Sequence, residues 1–221
     1  MTVGFGAFGK ITGVGDFLRL NVPVGFVQVW DVWLQANMLA ARDMLGAQWE
    51  DMYLSAPMWR FTLPAGLVGP HAVSGVWMAS VDRVGRQFPL TLVAPHSGTD
   101  MALIHFANRA TFEQLEEIAL ATLEDDASRD GLAVALDPLG IVVPDPVSPQ
   151  TSPYSAAVSP ETCLAAATLN RHHSGDGIWT SANPMDHRML LLPHLPDAAD
   201  MLALINLDAP LWSAHTAEPA A

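Results

Sequence analysis

Between two apolar runs, Val76 to Val81 and Leu90 to Val93, the chain sets one carboxylate and two guanidinium groups close together: Asp82, Arg83 and Arg86, with Gly85 among them. Two kinds of chemistry are open to such a set. The charges can pair with one another and brace a turn between two strands. Alternatively, the arginines can fork around a carboxylate or phosphate of a ligand or partner. A brace leaves both guanidiniums saturated, whereas a ligand site leaves an exposed fork. If the insert is buried, Asp82 pairs with one arginine and the other needs a second carboxylate, because an unpaired buried charge costs several kcal/mol. Asp16 is the first candidate for that role. The set contains no nucleophile and no acid–base pair, so by itself it names no reaction.

Other chemistries are weaker. Gly4-Phe-Gly-Ala-Phe-Gly9-Lys10 matches the glycine spacing of dinucleotide-binding turns and most of a phosphate loop. Both mechanisms need a strand before the glycines and a helix after them. Here Gly13, Gly15 and Pro23 stand where the helix would start, and Ile11 replaces the magnesium-binding hydroxyl. The stretch therefore reads as a first strand with Phe5 and Phe8 packed inward. His172, His173, Asp186, His187 and His194 lie close in sequence without a recognised ligand spacing, so no metal and no cofactor are expected. No G-x-S-x-G elbow is present. Cys163, set among Leu164 to Ala167, reads as a buried small residue rather than a thiolate nucleophile. Glu113, Glu116, Glu117, Glu124, Asp125 and Asp126 read as a solvated helix face. The chain is expected not to be an enzyme.

The elements that must position these residues follow from periodicity. Phe26, Trp30, Leu34, Met38, Ala41 and Leu45 recur at spacings of three and four, predicting a helix over 24–45 that Gly46 ends. Trp33 falls beside Trp30, so one indole is expected to leave the stripe centre. That makes Trp33, with Asp31, one candidate partner contact, the acidic second half of the chain being the other. A short helix is predicted over 49–54 and a half-buried strand over 58–63, with Trp59, Phe61 and Leu63 on one face. Thr111 and Gln114 form a capping-box sequence that predicts a helix to about 127. Ser159 and Pro160 open another to about 169. Strands are predicted at 178–180 and 188–192, and a last helix over 197–207. The prolines from Pro144 to Ser159 mark a loop, and 216–221 reads as a flexible tail, leaving 1–215 as one domain.

The chain has 221 residues and a formal net charge of −13. A chain of that length buries roughly 70% of its unfolded surface in a single core. Residues 1–99 balance six acids against six bases, so residues 100–221 hold all of the excess acid. Nucleic acid is excluded as a partner, because phosphate binding needs clustered Lys and Arg. One cysteine, no basic-then-apolar leader and no apolar run of about 20 residues predict a soluble, cytoplasmic protein without membrane insertion.

Several motifs occur in a fixed order. Gly9-Lys10 precedes Gly15-Asp16-Phe17. Then come Trp30-Asp31-x-Trp33-Leu34, Pro57-x-Trp59-Arg60-Phe61, and Gly75-Val76 with Ser80-Val81-Asp82-Arg83-x-Gly85-Arg86-x-Phe88-Pro89-Leu90. This set resembles the TagF (ImpM) family of type VI secretion accessory proteins, with a fainter continuation at Ile178-Trp179-Thr180 and Leu192-Pro193. The resemblance implies an α/β fold, a three-layer α/β/α sandwich on a mixed central sheet. It also implies a non-enzymatic, post-translational repressor that acts with the forkhead-associated scaffold protein of the secretion system. The alternative is a small-molecule or nucleotide sensor that holds an anionic ligand through Arg83 and Arg86. Oligomeric state is left open.

Overall fold

The computed structural model describes residues 4–145, 158–183 and 185–213. Most of the proline-rich loop and all of the tail at 216–221 lie outside them. Seven strands form one sheet: β1 (Gly6–Gly9), β2 (Leu18–Leu20), β3 (Trp59–Leu63), β4 (Ala72–Met78), β5 (Leu90–His96), β6 (Gly177–Ser181) and β7 (Met189–Leu192). Their order is β2-β1-β5-β4-β3-β6-β7, and every neighbouring pair is antiparallel. The expected mixed sheet is thereby corrected. Parallel neighbours need a long crossover, but β1–β2, β3–β4, β4–β5 and β6–β7 are consecutive strands joined by short returns. The two long excursions, from β2 to β3 and from β5 to β6, rejoin the sheet without making a parallel pair.

Side-chain alternation divides the core into two clusters. On β4, Val73 and Trp77 join a cluster with residues of α1 (Phe26–Leu45), α2 (Trp49–Leu54) and α7 (Ala198–Ile205). Ala72, Val76 and Met78 point the other way. They join residues of α3 (Met101–Ala107), α4 (Arg109–Ala121), α5 (Arg129–Leu136) and α6 (Pro160–His173). The period of two along a strand makes these opposite faces, so each face of the sheet carries helices. Burying each phenylalanine of these clusters is worth about 2–3 kcal/mol.

Helix α1 realises its periodic stripe and buries both indoles. Trp33 is 7% exposed, which takes it off the surface where a partner contact was expected. The reason is tertiary: α7 packs along α1 and covers the strip beside the sheet-facing one. Trp30 Nε1 donates to Thr91 Oγ1 at 2.9 Å, and Trp33 Nε1 donates to the Pro196 carbonyl at 2.6 Å. Both polar edges are therefore satisfied inside the core.

Helix α3 had no counterpart in the sequence reading, and α4 begins before the expected cap. Asp100 caps α3, its Oδ1 accepting from Leu103 N at 2.9 Å. Asn108 separates the two helices by donating to the Ile104 and Val142 carbonyls. Thr111 consequently lies inside the first turn of α4 rather than at its start. Helix α5 was not foreseen either, nor were β2 and the final turn α8 (Pro210–Ser213). Ser159 does cap α6, its Oγ accepting from Thr162 N. Cys163 is buried.

Strand β4 starts and stops earlier than its apolar run suggested. Beyond Met78 the Tyr53 hydroxyl enters the ladder, accepting from Ser80 N at 3.1 Å and donating to Ser80 O at 2.9 Å, while Ser80 O still accepts from Phe88 N at 3.1 Å. Within β4, Gly75 is required by close packing. A Cβ there would lie 2.0 Å from the Leu92 carbonyl oxygen and 2.8 Å from Phe61 Cζ. Gly75→Ala is expected to cost roughly 3 kcal/mol, because a neighbouring backbone must move. Urea denaturation checks this: the midpoint should fall with an unchanged slope, and an unmoved midpoint contradicts it.

Candidate functional site

The charged insert forms a tight loop between β4 and β5. Phe88 N donates to Ser80 O, Asp82 N to Arg86 O, and Gly85 N to Asp82 O. Gly85 adopts φ +80°, which a side chain would disfavour. The loop turns Asp82 inward, leaving its side chain with no solvent exposure. Oδ1 accepts from Val84 N at 3.1 Å and Arg86 N at 2.9 Å. Oδ2 takes Arg86 Nε at 2.6 Å and Lys10 Nζ at 3.0 Å. All of the roughly four acceptor positions of the carboxylate are thus used. Burial alone would raise its pKa, but the bonds from the Arg86 amide, the Lys10 and Arg86 side chains and the Val84 amide together hold it well below the usual carboxylate range. Asp82 is a brace that is ionised at neutral pH and has no proton to give there.

Asp82 pairs with Arg86 as expected and also with Lys10, and no second carboxylate joins the arginines among the described residues. Lys10 is 6% exposed at the end of β1, with its Nζ 5.1 Å from the centre of the Phe17 ring. Gly9 allows this approach: its φ is +134°, and a Cβ there would sit 2.0 Å from the Pro89 carbonyl oxygen. Asp16 is exposed and accepts from its neighbour Phe17 N at 2.7 Å, making no ion pair among the described residues. Arg86 Nη2 donates to the Gly15 carbonyl at 2.6 Å instead. Arg83 is exposed and forms no ion pair among the described residues; only its backbone N is engaged, with the Val14 carbonyl. Asp31 accepts from Gln35 Nε2 at 2.8 Å on the outer side of α1. Sequence reasoning places Lys10 in the phosphate-loop match and in the ordered motifs, and misses it as a charge partner of Asp82. Its place in the first strand, beside the glycine that admits close contact, was the available signal.

The loop also walls a surface cleft of about 550 Å³ against α1 and α2. Trp49 Nε1 donates to Gln87 Oε1 at 2.5 Å, tying α2 to the loop beneath it. Leu39 and Arg42 stand on one side and Gly85 and Arg86 on the other, with Glu50 the only acid of the lining.

A second polar arrangement runs beneath the opposite face. Ser74 Oγ lies 3.1 Å from His96 Nε2 and 3.0 Å from Thr62 Oγ1. Thr62 Oγ1 lies 3.0 Å from His105 Nδ1, and His105 Nε2 lies 2.9 Å from Thr180 Oγ1. Burial, and then the charge of Arg60, lower the His105 pKa to about 3, and burial lowers that of His96 to about 4. Both imidazoles are neutral at physiological pH. Ser74 is wholly buried, so this Ser–His contact cannot meet a substrate. Arg60 closes the chain's outer end by pairing with Glu116 through Nε and, at 3.0 Å, through Nη2. Glu116 is therefore part of a half-buried ion pair, which corrects its assignment to a solvated face. Apolar Phe112 and the strand beside it supply the partly dry surroundings.

The described residues contain no group of three or more His, Cys, Asp or Glu placed to hold a metal ion, and no helix long and apolar enough to cross a membrane. The family model of the TagF N-terminal domain, type VI secretion system-associated, matches residues 6–139. That span contains every residue of the loop brace. The crystal structure of PA0076 from Pseudomonas aeruginosa PAO1 is 33% identical, with a TM-score of 0.74, and the similarity covers 92% of this chain and 94% of that one. No curated protein matches the chain.

Proposed function

Because the chain belongs to the TagF family of type VI secretion-associated proteins, we propose that it is a cytoplasmic, non-enzymatic repressor that binds the forkhead-associated scaffold of that system. The observation that carries this reading is the state of the loop's charges. The loop's buried carboxylate is saturated within the chain, so the loop is a display element rather than a reactive centre. The remaining candidate chemistry points the same way: both relay histidines and Cys163 are buried. A regulator that works by association needs a stiff surface and no reacting group, since a preorganised surface loses less entropy on binding.

Co-purification with the forkhead-associated protein encoded in the same genome, together with secretion assays in deletion and overexpression strains, tests the proposal. Capture of that protein, higher secretion on deletion and lower secretion on overexpression are expected. No capture together with unchanged secretion overturns it.

A second reading, a sensor of a small anion, is favoured by one feature: Arg83 is exposed and forms no ion pair among the described residues. It predicts stabilisation by about 2.7 kcal/mol when a nucleotide or phosphate is present at 100 times its dissociation constant. Thermal-shift screening separates the two readings.

A further inference from the structure

We propose that the cleft between the C-terminal half of α1 and the Asp82–Gln87 loop is a docking groove for an acidic, amphipathic segment of a protein partner. The proposal rests on the association reading above and assigns it a surface and a partner chemistry. Charge complementarity is the first argument. The groove is lined by Arg42 and Arg86 against the single acid Glu50, in a protein whose net charge is −13. Within residues 1–99, where acids and bases balance, two guanidiniums against one carboxylate make this groove locally cationic. Arg42 makes no ion pair among the described residues. Arg86 is held at Nε by Asp82 and at Nη2 by the Gly15 carbonyl, yet its side chain remains 61% exposed, so the brace fixes the guanidinium and leaves its other N–H donors open.

The second argument is the apolar strip that continues the groove. Val29, Val32, Ala36 and Leu39 are exposed at spacings of three and four along α1, and Leu39 is 62% exposed where the strip enters the groove. This row lies outside the buried stripe of the same helix, and nothing in the chain's described part covers it. A free phosphate or nucleotide would use the guanidiniums and leave the strip bare. A segment with carboxylates on one side and Leu- or Ile-like side chains on the other matches both features at once.

The test uses the whole chain and a fluorescein-labelled peptide of Glu and Leu at helical spacing, with a Gln-for-Glu version as the uncharged control. Anisotropy should show binding of the Glu peptide that weakens with added salt. Arg42→Glu and Leu39→Asp should each weaken it about tenfold, whereas Arg171→Glu on α6 leaves it unchanged. Melting curves establish that the variants fold. Absent binding, equal binding of the Gln peptide, or indifference to Arg42→Glu in a folded variant overturns the groove. Complete competition by inorganic phosphate or ATP overturns it in favour of a small anion, and concentration-dependent self-association abolished by Arg42→Glu overturns it in favour of a second copy of the chain. Capture of the forkhead-associated protein undiminished by Arg42→Glu and Leu39→Asp refutes the groove while leaving the repressor reading standing. Peptide binding without that capture does the reverse.

Discussion

Asp82→Ala is expected to lower the melting temperature by on the order of 10 °C, with Asp82→Asn close behind. The carboxylate is the common acceptor for two backbone amides and two cations, and Lys10 depends on it in a nearly solvent-free position. Removing it leaves a buried ammonium without a counter-charge and two loop amides without partners. Asparagine keeps the volume but turns an NH₂ toward at least one donor. The graded series sharpens the test. Arg86→Gln should cost much less than Asp82→Ala, because that guanidinium is largely exposed, and Arg83→Gln should cost almost nothing. Calorimetry on the four variants measures the order. An Asp82→Ala protein that melts with the wild type contradicts the brace.

The protein should lose stability from about pH 6.5 downward, well before its carboxylates titrate. His105 and His96 have folded pKa values lowered to about 3 and about 4 from an ordinary 6.5. Between those limits the unfolded chain binds protons that the native state refuses, so stability falls as pH falls. Two such groups withdraw on the order of 5 kcal/mol between neutrality and pH 4.5, a large share of a typical domain's stability. The contribution of Asp82 has the same sign but a lower window. Its folded pKa is depressed, so its stabilisation is intact above the ordinary carboxylate pKa and is lost as pH drops through and below that range. Urea midpoints measured from pH 7.5 to 4.5 should decline steeply in the wild type and much less in His96→Gln/His105→Gln. A flat wild-type profile contradicts the neutral buried pair.

The parts of the fold that were legible in the sequence are those where local signals stood alone. The stripe from Phe26 to Ala41 made α1 recognisable, alternation made β3 recognisable, and Ser159-Pro160 and Asp197 marked helix starts that the structure realises. Where two signals competed, the reading slipped. Thr111 to Gln114 offers a capping box, yet Asp100 and Asn108 outrank it, because the upstream turn buries Met101, Leu103 and Ile104. Tyr53 diverts the Ser80 amide from the β4–β5 ladder from 27 residues away in sequence, a contact with no local trace.

The candidate site divides in the same manner. Residue types alone determined that Asp82, Arg83 and Arg86 form a charged turn between two strands, because such a run can be neither strand nor helix interior beside apolar neighbours. The ordered motifs determined the family. Only the tertiary structure decided which charges meet. Lys10 reaches Asp82 because β1 pairs with the start of β5, where the loop pairs Phe88 with Ser80 and so brings Asp82 alongside. Asp16, far nearer to Lys10 along the chain, points to solvent. Trp33 was decided likewise, buried by α7 from the far end of the chain. Electrostatic pairing and burial depend on distance in space, and the sheet order that sets those distances is a property of the whole fold.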